Sequence, residues 1–295
     1  MKKVQMIADQ PRLSIGLPVY NGEEFLREAL DSILAQTFED FELIISDNCS
    51  TDATEEICRE YQAKDKRIYY YRNPENLGAA PNYNRTVELA RGEYFKWAAD
   101  DDVCAPSFLA RCVEVLDNDP TVILSYPRTI FTKPNGQKWW EAESVGNLDS
   151  EKPHERFQAA ISDFWCLEVF GLIRTEALRQ TSLISSYYGS DRLLLTQLSL
   201  IGCLKEIPEP LFFRRCHSDQ SSRLSAQERE VWIDTKASMR PKFLRPRNSI
   251  EFFRAVFQAP LNWQERIRCL GILGKYIFSA QTWKKFFHQK APSKV

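Results

Sequence analysis

No stretch of this chain reaches the roughly 18 consecutive apolar residues that a membrane-spanning helix needs. The longest candidates, 193–204 and 276–283, fall short, so the chain is expected to be soluble or, at most, peripherally attached. Residues 1–10 carry two lysines but no apolar run behind them, which argues against a secretory signal. The eight cysteines, at 49, 58, 104, 112, 166, 203, 216 and 269, contain no CxxC pair and no metal-finger spacing. Several lie in apolar runs, as reduced core residues of a cytosolic protein do. Disorder is excluded too: 43% of residues are hydrophobic and 27% charged, and 295 residues can bury a full core as one large domain or one domain with an appendage.

Net charge is also nearly absent, at −1, but its distribution is uneven. Residues 240–295 hold twelve Lys or Arg against two Glu, which leaves the body of the chain at −11. An acidic body therefore carries a basic tail.

What is present is a repeated alternation of strands and helices. The apolar run 13–17 stops at Pro18 and at the turn pair Asn21-Gly22; Phe25, Leu26, Ala29, Leu30, Ile33 and Leu34 then form the stripe of an amphipathic helix over 23–36. Residues 41–46 read as a second strand, ending in a polar loop 47–52 that caps a helix over 53–63. A third strand spans 67–72, residues 76–80 lead into a helix through Ala90, and the aromatic segment 93–97 is a fourth strand. It runs into Asp100-Asp101-Asp102, and Pro106 opens the next helix. Such a pattern predicts an α/β fold with a mostly parallel sheet covered on both faces. Ligands of such sheets bind beyond the carboxyl ends of the strands. All four polar loops, 18–22, 47–52, 73–78 and 100–102, lie at such ends.

Three adjacent carboxylates repel one another and gain proton affinity unless a cation holds them ionised. A divalent metal is one remedy; the plainer reading is a solvated acidic turn with one Asp capping the following helix.

Downstream, 121–126 and 166–173 read as further strands and 174–181 as a short helix. Residues 127–150 show turns, with Trp139-Trp140 either stacking on a sugar ring or anchoring their own loop. Asp191 precedes the apolar helix 193–201, where an acid is a routine start signal. The strand-like 211–215 ends in Arg214-Arg215 and is followed by His217.

Leu-Pro-Val-Tyr-Asn-Gly at 17–22, Ser-Asp-Asn-Cys-Ser-Thr-Asp at 46–52, Asn-Leu-Gly at 76–78 and Ala-Asp-Asp-Asp at 99–102 together resemble the family 2 glycosyltransferases. The likeness runs over roughly residues 11–225 and implies a GT-A fold. It also implies a nucleoside diphosphate sugar donor, with UDP first among the nucleotides, a Mn2+ or Mg2+ ion, and transfer with inversion to a glycan or lipid-linked acceptor. Carried over, it places Pro18, Tyr20, Asn21, Asp47 and Gly78 around the nucleotide, with Asp47 accepting from the base. Asp100, Asp101 and Asp102 share the ribose and metal contacts. Asp102 or Asp100 is favoured for the metal, and His217 joins the metal or the phosphates. Arg214 or Arg215 meets the diphosphate, and Asp191 is the general base. Ala99 stands where many relatives are acidic, which leaves the division of roles among the three aspartates open. The Gln-x-x-Arg-Trp motif and spanning helices of processive relatives are missing, so a single addition is expected, in surface polysaccharide synthesis.

The division expected is 1–225 for the transferase domain, with a nucleotide-sugar half at about 11–126 and an acceptor half at about 127–225. A basic, amphipathic helical region, 226–295, follows. Its stretch 240–295 suits either an anionic membrane surface at the inner face or packing on the acidic body or on a second copy; nucleic acid is not indicated. A catalytically silent nucleotide-sugar binding module is the competing class. It would not need Asp191.

Overall fold

The computed structural model describes residues 10–162, 164–218, 220–236 and 247–278. In chain order the first half runs β1 (Leu13–Val19), α1 (Leu26–Leu34), β2 (Phe41–Asp47), α2 (Thr54–Lys64), β3 (Ile68–Arg72), α3 (Ala79–Leu89), β4 (Tyr94–Trp97), β5 (Val103–Cys104) and α4 (Phe108–Asn118). The second runs β6 (Val122–Thr132), β7 (Lys138–Glu141), α5 (Pro153–Ala160), β8 (Leu172–Arg174), α6 (Thr175–Arg179), α7 (Ser190–Ile201), β9 (Cys203–Arg215), α8 (Ala226–Ile233), α9 (Arg247–Gln258) and α10 (Trp263–Ile277).

The strands form one sheet in the order β3-β2-β1-β4-β8-β6-β9-β5, with β7 added to β6. The first four are parallel, in the register Leu13↔Phe41 through Val19↔Asp47 for the β1–β2 pair. β8 is antiparallel to both β4 and β6, while β6 and β9 run parallel. The α/β prediction holds, with an unbroken parallel run over β1 to β4 and a mixed arrangement of strands beyond it.

Both faces of the sheet are covered, and the strand residues divide by parity. Leu43 and Ile45 enter the cluster beneath α1, α2 and α4, while Ile44 enters the one beneath α3 and α7. Tyr94 and Phe95 divide the same way. Gly16 lets α3 lie directly on β1, since a Cβ there would come within 2.4 Å of Thr86 Oγ1. A third cluster fastens α9 and α10 onto α5 and α7 through Phe157, Leu193, Phe252, Val256, Cys269 and Leu273. Among the described residues no helix is long and apolar enough to cross a membrane. All eight cysteines are free thiols, six of them buried.

Two local expectations fail. Residues 166–173 are not one strand: Cys166 takes a left-handed backbone (φ 57°), 167–170 form a 3-10 turn, and only Leu172–Arg174 pairs as β8. Gly171 causes part of this, because it lies so close to β6 that a Cβ would meet Ser125 O at 2.5 Å. Residues 127–150 are more regular than expected, for β6 continues to Thr132 and folds back on β7 through Gly136 at φ 78°.

Candidate active site

The loops at the carboxyl ends of β1, β2 and β3 are stapled to one another by side chains. Asn21, at φ 53°, receives the Thr51 N–H on Oδ1 at 2.8 Å and gives its own N–H to Ser50 Oγ at 2.9 Å. Asn48 Nδ2 donates to Asn76 Oδ1 (2.8 Å) and to Gly78 O (3.2 Å), and its Oδ1 accepts from Asn73 and from the Leu77 N–H. Short amides suit this work, since each offers a donor and an acceptor at loop reach. Asn21 and Gly78 therefore serve as loop staples.

A cleft of about 710 Å3 opens over these loops, lined by Pro18, Tyr20, Asn48, Asn76, Tyr83 and Asp100, and on its far wall by Val231 and Trp232 of α8. α8 begins the stretch that the sequence assigned to the C-terminal region, yet it walls this cleft. Asp47 does not line it, contrary to expectation. It is fully buried, Oδ1 accepting from the N–H and hydroxyl of Ser50 (2.9 and 2.6 Å) and Oδ2 from the Tyr70 hydroxyl (2.7 Å).

The three aspartates separate in role. Asp100 faces the cleft and sits against Gly22, where a Cβ would come within 2.2 Å of its Oδ2. Burial and the charge of Asp101 push its carboxyl up to about 7. Asp101 Oδ2 lies 2.9 Å from His217 Nε2, so the loop and the end of β9 meet through this pair. Asp102 is buried and accepts the Arg215 backbone N–H on Oδ1 at 2.9 Å. Burial and Asp101 raise its proton affinity, opposed by Arg214 and by Lys96. Lys96 is itself sealed in the core, its Nζ donating to Trp97 O and Phe170 O at 2.9 and 2.8 Å.

Arg214 and Arg215 project to opposite faces of β9, as strand neighbours must. Arg215 is buried and clamps the acidic loop, its Nε donating to Asp101 O (3.0 Å) and its terminal nitrogens to Pro134 O and Glu28. Arg214 lines a second cavity of about 390 Å3 together with Asp191, Tyr188, Phe164 and Trp165. Asp191 stands in the first turn of α7, behind Gly189 at φ 85°, and takes the Arg192 N–H at 2.8 Å. Burial raises its proton affinity, while Arg192 and Arg214 favour its ionised form. The two cavities share Ala79, Tyr83 and Trp232, so Asp100 and Asp191 belong to adjoining compartments of one depression. Tyr83 and Trp232 were not singled out in the sequence, because no local pattern marks a wall built from two distant helices.

The residues fit a divalent cation of the hard, oxygen-preferring kind. Among the described residues Asp100 makes no ion pair, and Asp101 is paired with an imidazole, His217, at the same mouth. Among the described residues no three such side chains form a closed cage. Mg2+-type ions are held by one or two carboxylates, with substrate phosphates completing the shell.

Comparison with known proteins gives the family and the fold. The family described as Glycosyl transferase family 2 matches residues 14–186, more than half of the chain. An uncharacterized glycosyltransferase of Methanocaldococcus jannaschii is 36% identical over 130 residues, 43% of this chain and 45% of that protein. The first such relatives are thus matched over less than half of their own length. Among solved structures, S. aureus TarS 1–349 in complex with UDP-GlcNAc superimposes with a TM-score of 0.66 at 16% identity, covering 95% of this chain and 76% of that one. The mannosyltransferase PcManGT of Pyrobaculum calidifontis, in complex with GDP-Man and Mn2+, gives 0.53 at 18% identity, covering 94% and 79%. At such identities the likeness is one of fold, and the fold is the GT-A-like α/β architecture with helices following it.

Proposed function

Because the chain belongs to glycosyl transferase family 2, we propose that it moves one sugar from a nucleoside diphosphate sugar to a hydroxyl of a glycan or lipid-linked acceptor, with inversion at the anomeric carbon. The observation that supports this most is the continuity of the Asp100 cleft with the Asp191 cavity. In this reading one compartment takes the nucleotide and the other the bond that changes.

In this reading the base and ribose lie between Tyr20 and Trp232, with UDP favoured among the nucleotides. The diphosphate reaches toward Arg214, whose guanidinium offers charge-assisted donors to it. Asp100 and Asp101 would hold Mn2+ or Mg2+ together with the substrate phosphates, with His217 beside Asp101 at the same mouth, and the ion when bound stabilises negative charge on the departing phosphate. Asp102, already engaged by the Arg215 N–H, holds the loop in shape. Asp191 takes the proton of the acceptor hydroxyl as its oxygen bonds to the anomeric carbon and the bond to the diphosphate breaks. The electron pair leaves with the diphosphate. Placing Asp191 in the first turn of α7 favours its carboxylate form, which a base requires.

Calorimetric titration with UDP, GDP and dTDP, each with and without Mn2+, tests the proposal. One nucleotide binding in a metal-dependent way is the expected result. A chain that binds none of them is not a transferase of this kind.

A further inference from the structure

Past the Phe164-Trp165 wall of the Asp191 cavity lies a third cavity, of about 720 Å3, for which the donor and the base have no use. The β6–β7 hairpin forms one side and residues 164–168 the other. Trp140 stacks on Phe131 with ring centroids 3.9 Å apart and planes 9° from parallel. Trp165, from a distant part of the chain, meets both rings at 5.6 and 5.9 Å yet remains 59% exposed. An indole fixed by two aromatic neighbours and left open on one side is a platform for the apolar face of a flat, hydroxylated ring.

The floor of this groove is Glu168. It is 6% exposed, and its Oε2 finds no hydrogen-bond partner among the described residues. A buried carboxylate oxygen without a donor is costly, and a ligand that brings hydroxyl or ammonium hydrogens removes the cost. The remaining lining decides which ligands enter. Glu141, Glu143, Glu168 and Glu206 all line the groove, against Arg128 as the sole cation among the lining residues. That cation is already engaged, its Nε donating to Glu206 Oε1 at 3.1 Å and its Nη1 lying 3.7 Å from Glu141. Glu206 Oε1 in turn accepts from Ser144 Oγ at 2.8 Å.

We propose that this groove seats the acceptor, gripping an uncharged or amine-bearing sugar ring between Trp165 and Glu168 and rejecting rings that carry carboxylate or phosphate. The assignment rests on the transferase reading, because the shared Phe164 and Trp165 bring a glycan in the groove up to the cavity of Asp191. Trp165 supplies the stacking face. Glu168 accepts from a hydroxyl or an ammonium group, and the surplus of carboxylates repels anions.

The test is a printed glycan array bearing neutral, amino-sugar, uronate and phosphate-substituted oligosaccharides, probed with the labelled full-length chain, alongside UDP titration of the same samples. Wild type is expected to bind neutral or amino-sugar glycans and to leave the acidic ones. Trp165→Ala should lower that binding roughly tenfold in a chain that still binds UDP. Glu168→Gln separates the two ligand sources, since it spares neutral sugars and weakens amino sugars. Glu143→Lys, at an exposed rim position, should admit acidic glycans. Strongest binding to acidic glycans, undiminished binding by Trp165→Ala, or no glycan bound by a chain that binds UDP would each overturn the assignment. Glycan binding without any nucleotide binding would instead sink the transferase reading and leave the groove as a saccharide site.

Discussion

Glu168 makes folding stability respond to pH in a direction opposite to that of an ordinary paired surface acid, and replacing it by Gln removes that response. In the unfolded chain this carboxyl titrates near its ordinary value of 4.5; in the folded protein burial, with smaller contributions from Glu206 and Asp191, pushes it up to about 7. Below the unfolded value both states hold the proton and nothing is lost. As pH rises from about 4.5 to about 7 the unfolded chain releases the proton first, so stability that was fully present at low pH is progressively lost. At roughly 1.4 kcal/mol per pH unit, the full loss is about 3 kcal/mol above neutrality. Gln keeps the shape of the protonated acid and cannot ionise, so Glu168→Gln should match wild type near pH 4.5 and exceed it by up to about 3 kcal/mol near pH 8. Urea unfolding followed by tryptophan fluorescence, run on both proteins over that range, reads the difference with other titrating groups cancelled. A gap that stays constant with pH, or a wild type that is the more stable at pH 8, refutes the buried, unpaired carboxylate.

Asp191→Asn should leave UDP affinity intact while transfer falls by roughly 10²–10⁴, the usual worth of a general base; retained transfer removes the assignment. His217→Ala should erase the Mn2+-dependent part of nucleotide binding and preserve the metal-free part, because Asp101 loses its partner at the mouth of the cleft. The outer face of α9 and α10 exposes Phe253, Phe257, Trp263, Ile267 and Phe278, although the inner face is packed on the body. Phe253→Glu with Trp263→Glu should therefore reduce co-flotation with anionic liposomes at unchanged fold; equal flotation favours a purely packed role. Seven of the basic residues behind that expectation, at 240, 242, 245, 284, 285, 290 and 294, lie outside the described residues.

How much could be read in advance depended on where contacts come from. The strands β1 to β4 and their loops were legible because a parallel sheet buries each strand on both faces and forces turn residues to its ends. Even there, exposure was not legible: Asp47 looks like a loop residue, but Tyr70 and Ser50 close over it. Among Asp100, Asp101 and Asp102 the order of roles was left open, since one-residue steps around a tight loop point in directions that only β9 fixes. Beyond residue 126 the chain carries fewer periodic cues. Trp140 and Trp165 meet through tertiary packing, and neither residue's neighbours in sequence announce it. The same holds for α8, whose weak amphipathic pattern hides that Trp232 helps to line two compartments.

The Arg215 clamp also sets an order of events during synthesis. Its partners are Glu28, Asp101, Asp102 and Pro134, segments that leave the ribosome well before residue 215 does. Domains are made amino end first, at about 5–20 residues per second, so the acidic loop exists for several seconds or more before the strand that closes it. During that interval the nascent β1–β4 half has its cleft loops but not its lock. Nucleotide capture by a ribosome-stalled chain is therefore expected only once β9 has emerged and docked.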